Sequence, residues 1–196
     1  MADVGCHTIR YTGAASSGAA FSSLLSGAHV SDAAQRNLPA GITFREATEA
    51  DTEEMIPLIN AAFEVESFFV NRPRTHPGEM AGRFRSGRFL LAMEAGRIVA
   101  SLHYELRGER GHIGMLAVAP QWQHRGLGAA MMRAAEDMLR AHSCRFAELT
   151  VVSLRTTLFD FYRKQGYREA GTAELPGELR RKLTMPIELI RMEKEL

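Results

Sequence analysis

From Gly41 onward the chain alternates between two hydrophobic periods. Ile42-Thr43-Phe44-Arg45 alternates apolar and polar and predicts a strand. Thr48, three residues before Asp51, is placed to cap a helix, and Met55, Ile56, Ile59, Ala62 and Phe63 then follow helical spacing. A first helix is therefore expected over about Asp51 to Glu66, with Pro57 bending it or displacing its start. Two prolines and a glycine between Phe68 and Gly78 make a loop, followed by a weaker helix from Glu79 to Arg85. Arg88 to Glu94, Ile98 to Leu106 and His112 to Val118 read as three strands. Tight turns at Ala95-Gly96-Arg97 and Arg107 to Gly111 join them into an antiparallel meander.

Pro120 ends the third strand, and Gly126-Leu127-Gly128 opens an amphipathic helix. Leu127, Ala130, Met131, Ala134, Met138 and Leu139 form its inner stripe; Arg133, Glu136, Asp137 and Arg140 fall mostly on the outer side. Phe146 to Val152 is a further strand, and because a helix joins it to the strand at His112, the two should run parallel. A helix over Thr157 to Gln165 ends at Gly166. Tyr167 to Gly171 and Ile187 to Met192 are the last strands, separated by a basic, proline-containing loop, Leu175 to Lys182.

Residues 1 to 40 change the picture. Rich in Gly, Ala and Ser, they hold too few large apolar residues to bury much surface, so a disordered extension is expected there and one domain over residues 41–196. With 24 basic against 23 acidic residues, no global field draws the chain to nucleic acid or to an anionic membrane, and neither is expected as a partner. Cys6 and Cys144 have no metal-ligand spacing and make no disulfide framework, which points to a reducing, cytoplasmic setting. No apolar run approaches the ~18 residues of a membrane span, and the N-terminus lacks a basic segment followed by an apolar one.

The glycine entry at Gly126 carries the candidate chemistry. A helix start leaves its first backbone N–H groups unpartnered at the positive end of the macrodipole, a site for a pyrophosphate. A P-loop needs Lys-Ser/Thr after its second glycine, where this chain has Ala129-Ala130. A dinucleotide site needs a third glycine or alanine where Met131 stands, and an opening βαβ unit in place of three antiparallel strands. The remaining pattern, Gln123-His124-Arg125-Gly126-Leu127-Gly128, resembles the acetyl-CoA motif of the GNAT superfamily of N-acetyltransferases. Val118-Ala119-Pro120 upstream, the strand Phe146 to Val152, the run Phe161 to Tyr167 and the opening Ile42 to Asp51 are similar to that family's successive elements, in its order. The resemblance covers residues 41–196.

The resemblance implies an α/β (α+β) domain: a mixed, mostly antiparallel sheet of six to seven strands flanked by about four helices, with a parallel pair splayed into a cofactor wedge. It implies an N-acetyltransferase that moves the acetyl group of acetyl-CoA to a primary amine of a small molecule or peptide by direct attack. Leu116, Ala117 and Val118 would meet the pantetheine arm, and Gln123 with the amides of His124, Arg125, Gly126, Leu127, Gly128 and Ala129 the pyrophosphate. Many members carry an Asn after the strand at 146–152; here Ser153 or Arg155 stands in for it, and Phe159 and Tyr162 follow on the next helix. A backbone N–H near Leu116 would be the oxyanion donor, Tyr162 the general acid and His112 the base, with His103 and Glu105 as rivals. The acceptor side would lie over 68–88 and 173–187. Its Arg72, Arg74, Arg83, Arg85, Arg180 and Arg181 either suit an acceptor with a carboxylate or phosphate or form a solvated face. A non-catalytic acyl-CoA-binding sensor of the same fold is the alternative, and exposed final strands offer a way for two copies to pair.

Overall fold

The computed structural model describes residues 39–71 and 73–196. The extension expected over residues 1–40 lies, up to residue 38, outside the described residues, as do Cys6 and Arg72. Strands β1 (Ile42–Glu46), β2 (Arg88–Glu94), β3 (Arg97–Arg107), β4 (Arg110–Val118), β5 (Phe146–Val152), β6 (Arg168–Ala173) and β7 (Leu189–Glu195) form one sheet in the order β1-β2-β3-β4-β5-β7-β6. Every neighbouring pair is antiparallel except β4 and β5. Helices α1 (Thr52–Ala62), α2 (Pro77–Ser86), α3 (Leu127–Ala141), α4 (Thr156–Lys164) and α5 (Gly177–Lys182) complete the domain. Among the described residues no helix is long and apolar enough to cross a membrane.

Local chemistry explains most boundaries. Asp51 accepts from the Thr48 backbone N–H at 2.7 Å and its hydroxyl at 3.1 Å, and Arg45 clamps the same carboxylate, so the start of α1 is tied to β1. The helix continues through Pro57. Ala95 and Gly96 both take positive φ, 45° and 81°, which suits the two-residue turn between β2 and β3. The stretch read as a basic loop contains α5, because Leu179-Arg180-Arg181-Lys182 are good helix formers once Pro176 has ended the preceding segment.

The centre of the sheet is buried on both faces, while β6 at its edge is largely exposed. One face packs under α3 and α4, through Leu90, Leu102, Ile113, Leu149 and Met192 against Met131, Ala134 and Leu139. The other packs under α1 and α2, through Phe89, Leu91, Ile98 and Ala117 against Met55, Ile59 and Met80. Gly111 permits the close approach of α3: a Cβ there would lie 2.3 Å from Leu139 Cδ2.

Glu136 departs from its sequence assignment to the outer side of α3, being only 2% exposed. Its carboxylate accepts from the Tyr167 hydroxyl at 3.0 Å and from Lys194 Nζ at 2.6 Å, joining α3 to the end of α4 and to β7. Burial, reinforced by that carboxylate, holds the Tyr167 phenol far above its ordinary range. Removing the acceptor strands the buried Tyr167 hydroxyl and unpairs the half-buried Lys194, so Glu136→Ala should lower stability by about 3 kcal/mol. The loss should appear as a lower urea midpoint at unchanged slope. Glu136→Gln should cost less, since its amide oxygen still accepts from Tyr167. A loss under about 1 kcal/mol for Glu136→Ala would put the network on a par with a surface ion pair.

Candidate active site

The only parallel pair in the sheet is also the one that comes apart. Arg110 faces Phe146, Gly111 faces Ala147 and His112 faces Glu148; beyond that rung β4 and β5 no longer pair. A bulge lies just past the parting. On β3, Ser101 faces Ala117 and His103 faces Gly114, so Leu102 alone spans both Met115 and Leu116, and Met115 takes φ 49°. The extra residue reverses which face each side chain meets. Ile113 packs under α3, whereas Met115 and Ala117 pack under α1 and α2. Leu116 and Val118 thereby turn to the α3 and α4 side, where a Cβ on Gly128 would meet Leu116 Cδ2 and Val118 Cγ2 at 3.8 Å and Phe161 Cζ at 3.6 Å.

The chain then makes its glycine entry. Gln123 Nε2 donates to the Val118 carbonyl at 3.0 Å, folding the loop back on the end of β4. His124 at φ 59° and Gly126 at φ 80° are left-handed, and Gly126 is where glycine is required. The amides of His124, Arg125, Gly126, Leu127, Gly128 and Ala129 donate to no other group among the described residues. Successive N–H groups in such a turn, opening directly into α3, form a concave donor row for an anion. The Arg125 guanidinium rests 5.3 Å from the Trp122 ring centroid beside it.

Tyr162 forms the opposite wall on α4, its ring 5.1 Å from Phe161 and 6.0 Å from Tyr167. Burial pushes its phenol up to about 12, with Arg155 opposing and Glu66 adding to the rise. Those two charges are themselves paired, Arg155 Nη1 to Glu66 Oε1 at 2.9 Å. Glu66 sits in the 3-10 turn after α1, buried, and desolvation raises its carboxyl against the opposing charges of Arg74 and Arg155.

His112 lies at the crotch of the split, on the α1 and α2 side. Around it the paired strands carry a row of charges, Glu105 on β3, Glu148 on β5, Glu193 on β7 and Arg168 on β6. Arg110 contacts Glu148 and Glu193 at 3.3 Å each, and Arg107 holds Glu105 at 2.6 Å. Burial first, then the positive charge of Arg107, lowers His112 to about 4, against Glu105 and Glu148. Burial pushes Glu105 up, but the hydrogen bonds and charge of Arg107 outweigh it and its carboxyl ends below the ordinary value.

The structure thus brings Leu116, Val118, Gly128, Phe161 and Tyr162 to one end of the sheet, with His112 at the same parting from the other face. Phe159 packs near them, its ring 5.8 Å from the Arg163 guanidinium. Ser153 and Arg155, the two stand-ins for the family's Asn, are engaged elsewhere: Ser153 Oγ accepts from the Glu188 backbone N–H at 3.1 Å, and Arg155 holds Glu66. His103 is fully buried, with Nε2 3.0 Å from the Arg83 carbonyl and its ring on Phe89, so it ties β3 to the end of α2 and leaves the cleft. Glu66 and Glu148 were not singled out from the sequence. Glu148 interrupts the apolar run Phe146 to Val152, which is a readable signal; Glu66 lies among other acidic residues and carries none. Cavities of about 300 Å³ beside Glu54, Glu94 and Arg97 and about 190 Å³ beside Arg88, Tyr104 and His142 lie away from these groups.

Comparison with known proteins follows the same lines. The family model described as Acetyltransferase (GNAT) family matches residues 53–167. A mycothiol acetyltransferase from Clavibacter sepedonicus is 27% identical over 142 residues, 69% of this chain and 46% of that protein. The chain therefore spans about half the length of the curated relatives it matches. A GNAT family acetyltransferase from Elizabethkingia anophelis, solved with acetyl-CoA bound, superposes with TM-score 0.64 at 18% identity over 81% of this chain and all of the other. The PaiA N-acetyltransferase from Thermoplasma acidophilum, in complex with coenzyme A, gives 0.60 at 15% identity over 79% of this chain and 99% of the other. These likenesses establish a shared fold.

The neutral histidines have a consequence for stability. Burial lowers both His103 and His112 below the ordinary ~6.5. Between that value and about 4 for His112 the unfolded chain binds more protons than the native one, so stability is full above ~6.5 and falls as pH drops through the window. Urea midpoints at pH 7 and pH 5 should show the decline, and His112→Gln should make it shallower. An unchanged dependence in His112→Gln would mean that His112 titrates as a solvent-exposed imidazole.

Proposed function

The chain belongs to the acetyltransferase (GNAT) family, and from that premise we propose that it moves an acetyl group from acetyl-CoA to a primary amine by direct attack. The observation carrying this reading is the convergence, where β4 leaves β5, of an unpaired strand edge and a row of free helix-entry amides, with Phe161 of α4 packed beside Gly128 and Tyr162 next to it. Acetyl-CoA supplies the acetyl group as an activated thioester.

The residues present fit that molecule. The amides from His124 to Ala129 are disposed to receive a pyrophosphate. Gly128, lacking a side chain, leaves Leu116 and Val118 open along the wedge, and the edge of β4 beyond His112 can bond an amide-bearing arm as a strand would. At the bulge, Met115 and Leu116 stand outside the β3 ladder and can direct an N–H at the oxygen on which charge develops. Tyr162 keeps its proton throughout the physiological range and can donate a hydrogen bond to the departing sulfur. His112, uncharged at neutral pH, accepts the proton the amine gives up, with Glu105 and Glu148 beside it. We assign this activity to residues 41–196.

Incubation with acetyl-CoA and a panel of amines, following free thiol, should show turnover. Cofactor binding without turnover on any amine would favour the sensor reading. Tyr162→Phe should lower kcat by about 100-fold with cofactor affinity retained, and an unchanged kcat would remove Tyr162 from this role. Because His112 titrates near 4, kcat/KM should show no break near the usual histidine value of ~6.5. A break there that disappears in His112→Gln would contradict the neutral, buried histidine.

A further inference from the structure

Close to the Arg155–Glu66 pair lies a cation with nothing to hold. Arg74 lies in the loop between α1 and α2, its guanidinium 4.6 Å from the Phe63 ring centroid, and forms no hydrogen bond among the described residues. It is nevertheless fixed in place. Asn60, on α1, accepts from the Thr75 backbone N–H at 2.9 Å and donates to the Thr75 carbonyl at 3.1 Å, pinning the adjacent residue. Farther along, Val70 bridges Leu183, and Thr184 donates its hydroxyl to the Phe68 carbonyl, so the loop is bound to the segment after α5. Thr75 is itself buried with Oγ1 unpartnered among the described residues.

The charges nearby leave a remainder. Arg155 is already engaged by Glu66 and Glu79 faces Lys182 at 3.9 Å, so Arg74 has its donors unused among the described residues, with the Arg83 charge nearby. Arg74, Arg83, Arg155 and Lys182 against Glu66 and Glu79 leave the group net positive. Its rim is apolar: Val65 and Phe68 are 55% and 53% exposed, and Leu154 and Met185 stand out from the neighbouring segments. Among the sequence's six arginine candidates, Arg85, Arg180 and Arg181 are exposed, Arg83 is half-buried and its charge opposes that of Arg74, and Arg72 lies outside the described residues.

We propose that Arg74 selects the acceptor: an amine that also carries a carboxylate and an apolar body, with the carboxylate gripped by the guanidinium poised on Phe63 and the amine directed past Glu66 toward Tyr162. A planar guanidinium with its fork unused can bind a carboxylate bidentately, and the ring of Phe63 beneath it and the apolar rim suit an acceptor with an apolar body. This inference rests on the acetyltransferase reading.

The test compares phenylalanine and 6-aminohexanoate with their carboxamides, and with phosphoethanolamine, in kcat/KM. For the acids the ratio of acid to amide should be about 10- to 100-fold. Arg74→Gln should bring that ratio near one, and Arg74→Lys should restore part of it, while thermal melting and cofactor affinity report that the variants are folded. Equal use of acids and amides would overturn the proposal, and so would a preference for phosphoethanolamine. Calorimetric binding of the same acids separates the two levels of inference. Arg74-dependent binding with no turnover would sink the acetyltransferase reading and leave Arg74 only as a carboxylate-binding group, whereas turnover indifferent to the carboxylate would sink this proposal and leave that reading.

Discussion

Backbone N–H and C=O groups on β4 beyond His112 face a neighbour that has moved away, and that deficit organises everything around it. An unpaired strand edge inside a sheet is costly unless something satisfies it. Here the gap is held open from both sides. The bulge at Met115 turns β4 out of the register it shares with β3, and α3, entered through left-handed Gly126, occupies the connection between the separating strands. β5 meanwhile is secured on its far side by a full antiparallel ladder to β7, from Phe146 opposite Glu195 to Val152 opposite Leu189, so it cannot close back onto β4. The opening is thus built into the strand pairing and needs no ligand to create it.

The same bulge divides the site between the two faces of the sheet. Before it, His112 looks toward α1 and α2; after it, Leu116 and Val118 look toward α3 and α4. A donor lying against Leu116, Val118 and the Gly128 entry and an acceptor arriving over His112 and the charged row would meet through the gap from opposite sides. On the proposed reading, such an arrangement would let each partner be recognised by its own surface, an amide-lined turn for the anion and a pinned loop with Arg74 for the acceptor's carboxylate.

Much of this was legible in the chain. The strands at 88–94 and 146–152 and the helix entry at Gly126 follow from periodicity and glycine placement, since each depends on local sequence. The parallel pairing of β4 and β5 follows from the helix between them. What could not be read was what depends on contacts distant in sequence. Glu136 looked like an outer residue because its partners, Tyr167 and Lys194, come from elements that fold beside it from 31 and 58 residues away. His103 looked like a rival base because the alternation of β3 does not say that α2 will cover it. The bulge at Met115 left no mark either: a positive φ at a methionine is imposed by the strands around it.

The charge state of Tyr162 then bears on how it acts. A phenol held near 12 by burial is a poorer acid than one in water, and full transfer of its proton to a thiolate whose acid titrates near ~8.5 is uphill by a factor on the order of a thousand. Acidity is therefore not what the site provides. Burial keeps the hydroxyl protonated at every working pH and strips competing water from it, so the hydrogen bond it can donate is stronger than in solvent. Arg155 opposes the rise, and Glu66 both engages Arg155 and adds to it. In the proposed reaction Tyr162 would therefore contribute a positioned dipole for the charge that develops on sulfur, held in its protonated form by burial and by the paired charges of Arg155 and Glu66.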